Sequence, residues 1–193
     1  GGVISGSGTV TKEGAGTQTL TGANTYSGGT SINAGTLEFQ NSAALGTSRI
    51  DLVGSAILQF GADALDLSED VRAGNNGSGT RTIRLDLAGT NSGTLSGQLD
   101  IRANGLDTFA IDVGADDTLT VSQKIVNLVN NGAGLTKLGA GELSVVLDSS
   151  SYTGLTKVDG GTLVLGNNTV NNTNTSSSGF EINNGSTLQF ERG

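Results

Sequence analysis

One block of this chain is written twice. "GTVTKEGAGTQTLTGANTYSGGTSINAGTLEF" (Gly8 to Phe39) aligns with "GLTKLGAGELSVVLDSSSYTGLTKVDGGTLVL" (Gly134 to Leu165), pairing Lys12 with Lys137, Gly14 with Gly139 and Gly16 with Gly141. One inserted residue then brings Tyr26 onto Tyr152, Gly28 onto Gly154 and "AGTL" onto "GGTL". The likeness resumes in "RIDLVGSAILQF" (Arg49 to Phe60) and "FEINNGSTLQF" (Phe180 to Phe190). Repetition on this scale restricts a chain to architectures in which like units stack and bury their apolar faces against one another. The copies cover about 8–60 and 134–190, and residues 61–133 keep the texture without the signature. The expectation is one repetitive architecture over 1–193, not two domains and a linker.

Between the turns the pattern alternates. In Ile83-Arg84-Leu85-Asp86-Leu87 and Phe109-Ala110-Ile111-Asp112-Val113 every second residue is large and apolar, the period of a half-buried strand. Leu37/Phe39, Leu143/Val145/Leu147, Leu163/Leu165 and Leu188/Phe190 follow, with Glu38, Ser144, Val164 and Gln189 on the opposite face. Turn signals such as "NNGSG", "GTNSG" and "NNGAG" recur too often for helices of ordinary length. Ala62 to Val71 and Val121 to Val129 are the two helix-like stretches, and the second, rich in β-branched residues, reads better as a strand with its turn.

Short strands and a long repeat suit a sandwich, a propeller or a β-solenoid. The solenoid is favoured because the copies differ by insertion without losing their strands, as when loops bulge from a stack of coils. The low aromatic content of 4% suits a narrow interior lined by Leu, Ile and Val, and Gly, Asn, Ser and Thr at equivalent turns can stack from coil to coil. At ~20–25 residues per coil and ~4.8 Å per coil, the expectation is a parallel β-helix of roughly eight coils, a rod of ~40 Å.

Composition excludes several functions. The formal charge of -8 opposes binding to nucleic acid or anionic membrane, which depend on Lys and Arg. With no Cys and no His, neither a Ser/His/Asp triad, a Cys nucleophile nor a thiolate zinc site can be built. No apolar run approaches the ~20 residues that a spanning helix needs, so no direct membrane insertion is expected. The chain opens on Gly1 and reads as a piece of something longer, with each terminal coil expected to present an unpaired edge and to associate end to end or be only marginally stable.

The duplicated residues carry a specific resemblance. "LTKLGAGELSV" and "TKEGAGTQTLTGANTYSGGTSINAGTL" resemble the autotransporter-associated β-strand repeat, also called the passenger-associated transport repeat, of bacterial autotransporters. Thr11 to Leu37 departs from that pattern mainly at Glu13 and Gln18, while Leu135 to Leu163 has lost the Asn-Thr pair and the second Gly. The resemblance implies an all-β, right-handed parallel β-helix passenger, exported to the bacterial cell surface through a C-terminal β-barrel translocator of the same parent chain. It further implies that the repeat assists folding and transport across the outer membrane and is not catalytic.

Individual residues have structural and functional readings. The "GSGT" runs at Gly6 and Gly77 precede no helix and read as turns rather than phosphate cradles. Asp63/Asp66/Glu69/Asp70 and Asp107/Asp112/Asp116/Asp117 read as solvated turn acids in preference to a glycosidase pair, and neither matches a calcium repeat. Tyr26 and Tyr152 read as rings packed over the neighbouring Gly-Gly turn to fix the corner or, less favoured, as a sugar platform. Lys12 and Lys137 read as exposed, one per repeat, guarding an edge or touching a ligand. Asn167 to Gly179 reads as a bulging loop. No catalytic, cofactor-binding or metal-ligating residue is assigned. Three functions are weighed: a stalk that assists secretion, an adhesive surface for host or like molecules, and a polysaccharide-active enzyme, the last without support in these residues.

Overall fold

The computed structural model describes residues 2–74, 79–102, 108–128, 132–146, 150–167 and 179–192. Among them are twenty strands and no helix. The first two coils hold β1 (Val10–Lys12) and β2 (Thr17–Leu20), then β3 (Thr30–Ile32) and β4 (Gly35–Phe39). Four coils of three strands follow: β5 (Ile50–Leu52), β6 (Ala56–Phe60) and β7 (Leu65–Leu67); β8 (Val71–Ala73), β9 (Thr80–Leu85) and β10 (Ser92–Leu95); β11 (Leu99–Ile101), β12 (Thr108–Val113) and β13 (Thr118–Val121); β14 (Ile125–Val126), β15 (Leu135–Leu138) and β16 (Glu142–Val146). The last coils hold β17 (Thr156–Val158) and β18 (Thr162–Asn167), then β19 (Phe180–Ile182) and β20 (Thr187–Arg192).

Every pairing is parallel, and each strand pairs with its counterpart one coil away. Three faces result: β1-β3-β5-β8-β11-β14, β2-β4-β6-β9-β12-β15-β17-β19, and β7-β10-β13-β16-β18-β20. Six strands on each of the first and third faces make this a parallel β-solenoid of about six full turns. The expectation of roughly eight coils holds along the second face; among the described residues, 21–29 and 40–49 pass the third face, and 150–155 the first, without a strand. On the third face residues 40–49 run without a strand, yet Ser42 Oγ accepts the Asp66 N–H at the edge of β7. On the first face Ser150 and Ser151 lie over Ile125 of β14.

Alternation sets the interior. On the third face Leu119, Leu143 and Leu163 align in one column and Leu95, Val121, Val145 and Leu165 in another, all buried. On the second face Leu37, Leu58, Ile83 and Ile111 stack, beside Phe39 and Phe60, whose rings lie 4.7 Å apart. Glu38, Ser144, Val164 and Gln189 occupy outward positions, as the pattern predicts. Leu147 and Val129 lie outside the described residues. The helix-like stretch at Ala62 to Val71 instead contains β7 and begins β8. Leu65 and Leu67 both point inward, and this two-residue period is that of a strand. In the last coil Ile182 and Phe190 are 43% and 56% exposed, although both continue columns that are fully buried below.

Candidate functional site

The duplicated block forms two corners, and both copies build them from equivalent atoms. At the first, Lys12 and Lys137 sit at inward positions: Lys12 is in register with Ile32, and Lys137 lies between Ile111 and Val158. They are 8% and 0% exposed. Each side chain runs along the apolar interior and delivers its ammonium to backbone oxygens at the turn. Lys12 Nζ donates to Glu13 O (2.8 Å), Gly14 O (2.6 Å) and, one coil on, Ala34 O (3.0 Å). Lys137 Nζ donates to Leu138 O, Gly139 O (2.8 Å) and Gly160 O (3.3 Å), the matching atoms of the second copy. Burial pushes the Lys137 amine down to about 8, partly countered by the Asp112 charge.

This placement corrects the reading of these lysines as exposed edge guards. The sequence did contain the signal: Lys12 is in phase with Val10, and Lys137 with Leu135, on the inward beat of their strands. The general preference of Lys for solvent concealed it.

The second corner holds the tyrosines. Tyr26 and Tyr152 are each 1% exposed, so neither ring is a platform for sugar and the corner-packing reading stands. Tyr26 Oη lies 2.6 Å from Thr30 Oγ1, and Tyr152 Oη 2.7 Å from Thr156 Oγ1. Thr30 Oγ1 donates onward to Leu45 O, which leaves the Tyr26 hydroxyl as donor to Thr30. The glycine that the Tyr26 ring meets is Gly46, one coil on, where a Cβ would stand 2.7 Å from the ring. Asn24 and Ser150, unlike in chemistry, do the same work: Asn24 Oδ1 accepts Ile4 N–H and Ser150 Oγ accepts Ile125 N–H, each from the coil below. The Asn-Thr pair missing from the second copy is therefore replaced in function at one of its two positions.

The copies differ in where they sit. The first runs from the first face to the second and places its tyrosine corner on the third; the second runs from the second face to the third and places its tyrosine corner on the first. One block docks with the same contacts after a shift of one face.

The acids act mainly as staples between coils. Asp63 Oδ1 accepts Ser92 N–H (2.8 Å), Ala64 N–H and the Ser92 hydroxyl, and the Ser92 amide leads in holding this exposed carboxyl below the usual range. Asp66 accepts from Ser96 Oγ (2.9 Å), and Asp70 from Gln98 N–H (2.9 Å). Asp117, 1% exposed, accepts Leu87 N–H and both nitrogens of Asn91. Asp112 pairs with Arg84 on the outer side of the second face (2.9 Å), whereas Asp117 precedes β13 on the third, so this group is not one constellation. Asp116 is exposed with φ of 67°. Glu69 lines a polar cleft of about 420 Å³ with Thr47, Ser48, Arg49, Ser68 and Asp70, and burial raises its carboxyl. Among the described residues no three carboxylates come together as metal ligands.

Of the glycine runs, Gly6 to Thr9 rests on the coil above through Thr9 Oγ1 and Gly28 O (2.9 Å). Gly77 and Asp107 lie outside the described residues, as do 168–178 of the expected loop. Sequence reasoning missed Arg81. It is fully buried in register with Ala56 and Phe109, and it donates to Val53 O of the preceding coil (2.7 and 3.1 Å).

A three-faced parallel solenoid whose corners are fixed by a recurring Lys, Gly and Tyr block is a stacked structural repeat. Residues 10–39 and 135–165, the duplicated block, match the family model of the passenger-associated-transport-repeat. The chain is also 28% identical over 165 residues to the Adhesin BmaC autotransporter of Brucella suis biovar 1 (strain 1330), an alignment covering 84% of this chain and 4% of that protein. It thus spans a small fraction of the relative's length. No solved structure matches it.

Proposed function

We propose that residues 1–193 form a single β-helical segment of the stalk of an autotransporter passenger, and that its repeats assist folding coupled to secretion across the outer membrane. The observation that carries this reading is the transport repeat itself, present twice and building the same buried corners on different faces. Its work is to close one coil onto the next. The partner is a C-terminal β-barrel translocator of the same parent chain, and the location is the bacterial cell surface. Neither nucleic acid nor membrane insertion by this segment enters the reading.

Catalysis is not proposed, since Asp63, Asp66, Asp70, Asp112 and Asp117 are engaged in holding neighbouring coils together. The test is display on a Gram-negative host, with the chain fused ahead of a β-barrel translocator. The unaltered chain should reach the surface and resist external protease. Leu163→Asp puts a charge into a fully buried column and should abolish display; undiminished display of that variant would refute the reading.

A second reading, an adhesive segment, is favoured by the name of the relative. It requires binding of the purified chain to host cells, to glycans or to itself. A blank glycan array together with a monomeric sedimentation profile would count against it.

A further inference from the structure

The repeat lysines occupy the interior of an apolar column, which is a costly place for an ammonium unless it is fully hydrogen-bonded. Each obtains two acceptors from its own turn, residues one and two further along the chain, and the third from the next coil: Ala34 O for Lys12 and Gly160 O for Lys137. These acceptors are equivalent in the two copies although one corner lies at the end of the first face and the other at the end of the second. The arrangement is therefore intrinsic to the block and not imposed by its surroundings. Arg81, the third fully or nearly buried cation among the described residues, likewise reaches a carbonyl of an adjacent coil, Val53 O.

Hydrophobic pattern alone leaves the stacking of such coils underdetermined. A slip of one residue turns every side chain to the wrong face, but a slip of two preserves the alternation. Moved by two, Val158 would stand against Leu135, and Ile32 against Val10, apolar on apolar. The lysine is what such a slip would strand, because the carbonyl at the Ala34 or Gly160 turn would leave its ammonium. A single buried polar group that fixes register is the best-attested use of buried charge.

We propose that Lys12 and Lys137 are register locks, selecting the one stacking of the following coil that brings its turn carbonyl onto the ammonium. This rests on geometry, and it stands or falls separately from the secretion reading.

The chain has no cysteine, so introduced pairs are the only thiols. Thr136→Cys with Lys157→Cys joins register partners, while Thr136→Cys with Asp159→Cys joins positions two residues out of register, too far apart to bridge in the native stack. With Lys137 present, oxidation should close the first pair and leave the second open. In Lys137→Met, closure of the second pair should rise roughly tenfold or more, since an apolar side chain no longer penalises the slip. If Lys137→Met stays folded, by circular dichroism, and the second pair stays open, the proposal is overturned. Should that variant unfold, the decision passes to Lys12→Met, read with Thr11→Cys/Ser31→Cys against Thr11→Cys/Asn33→Cys. Unfolding of both Met variants also overturns the proposal, because the lysines would then supply stability in place of register.

Discussion

Burial of Lys137 changes how the chain responds to alkali. Its amine titrates near 8 in the fold against an ordinary value of 10.5, so between those values the unfolded chain binds the proton and the folded chain does not. Unfolding free energy then rises with pH across that window, by up to about 1.4 kcal/mol per pH unit, and levels off above it. Below pH 8 both states are protonated and the cost of burying the charge is carried in full. Urea unfolding between pH 7 and 10.5 should show this rise, and Lys137→Met should flatten it. The residue also marks a boundary of what sequence can tell. Recurrence singled out Tyr26/Tyr152 and Lys12/Lys137 equally, but a buried tyrosine agrees with its usual preference whereas a buried lysine contradicts it. What makes the lysine burial tolerable is a set of backbone carbonyls, and backbone oxygens leave no trace in the identity of a residue.

At the scale of the element, the turn decides more than the strand. Gly35 and Gly161, equivalent in the two copies, have φ of 69° and 59°, and a Cβ there would stand 2.4 Å from Gly14 O and 2.2 Å from Gly141 O in the coil below. Both the left-handed backbone and the close approach exclude a side chain. Gly161→Ala should therefore destabilise the chain by at least ~1–3 kcal/mol, the scale of cost for backbone held in sparsely populated conformations. Gly16→Ala, with open space around its Cβ, should change it by less than ~1 kcal/mol. Chemical denaturation of the two variants side by side checks the contrast. Strand positions were legible because their alternation is local, as in Ile83 to Leu85 and Leu163 to Leu165. The positions of the acids in Ala62 to Val71 answer to hydrogen bonds with Ser92, Ser96 and Gln98 roughly thirty residues away. No local window contains that cause. The shift of the second copy by one face was hidden for a similar reason, since it depends on the summed length of all the coils between.

For the whole molecule, stacking makes each coil depend chiefly on its two neighbours, so stability should be distributed along the axis and not shared evenly. The third-face column Leu119, Leu143, Leu163 and Leu188 runs from buried middle to open end, where Leu188 is only partly covered. Leu163→Ala removes a side chain with 0% exposure and should cost ~2–5 kcal/mol in the coils it touches. Amides of β16, β18 and β20 should then exchange faster by the corresponding factor in native-state hydrogen exchange, while those of β3, β4 and β5, at the far end, keep their protection. Phe190→Ala, at a position already 56% exposed, should accelerate exchange in β18 and β20 alone and by a smaller factor. Equal acceleration in every coil would mean that the rod opens as one cooperative unit and would refute nearest-neighbour coupling. That outcome would also bear on export, because a chain able to gain stability one coil at a time can fold as it emerges, and one that folds only as a whole cannot.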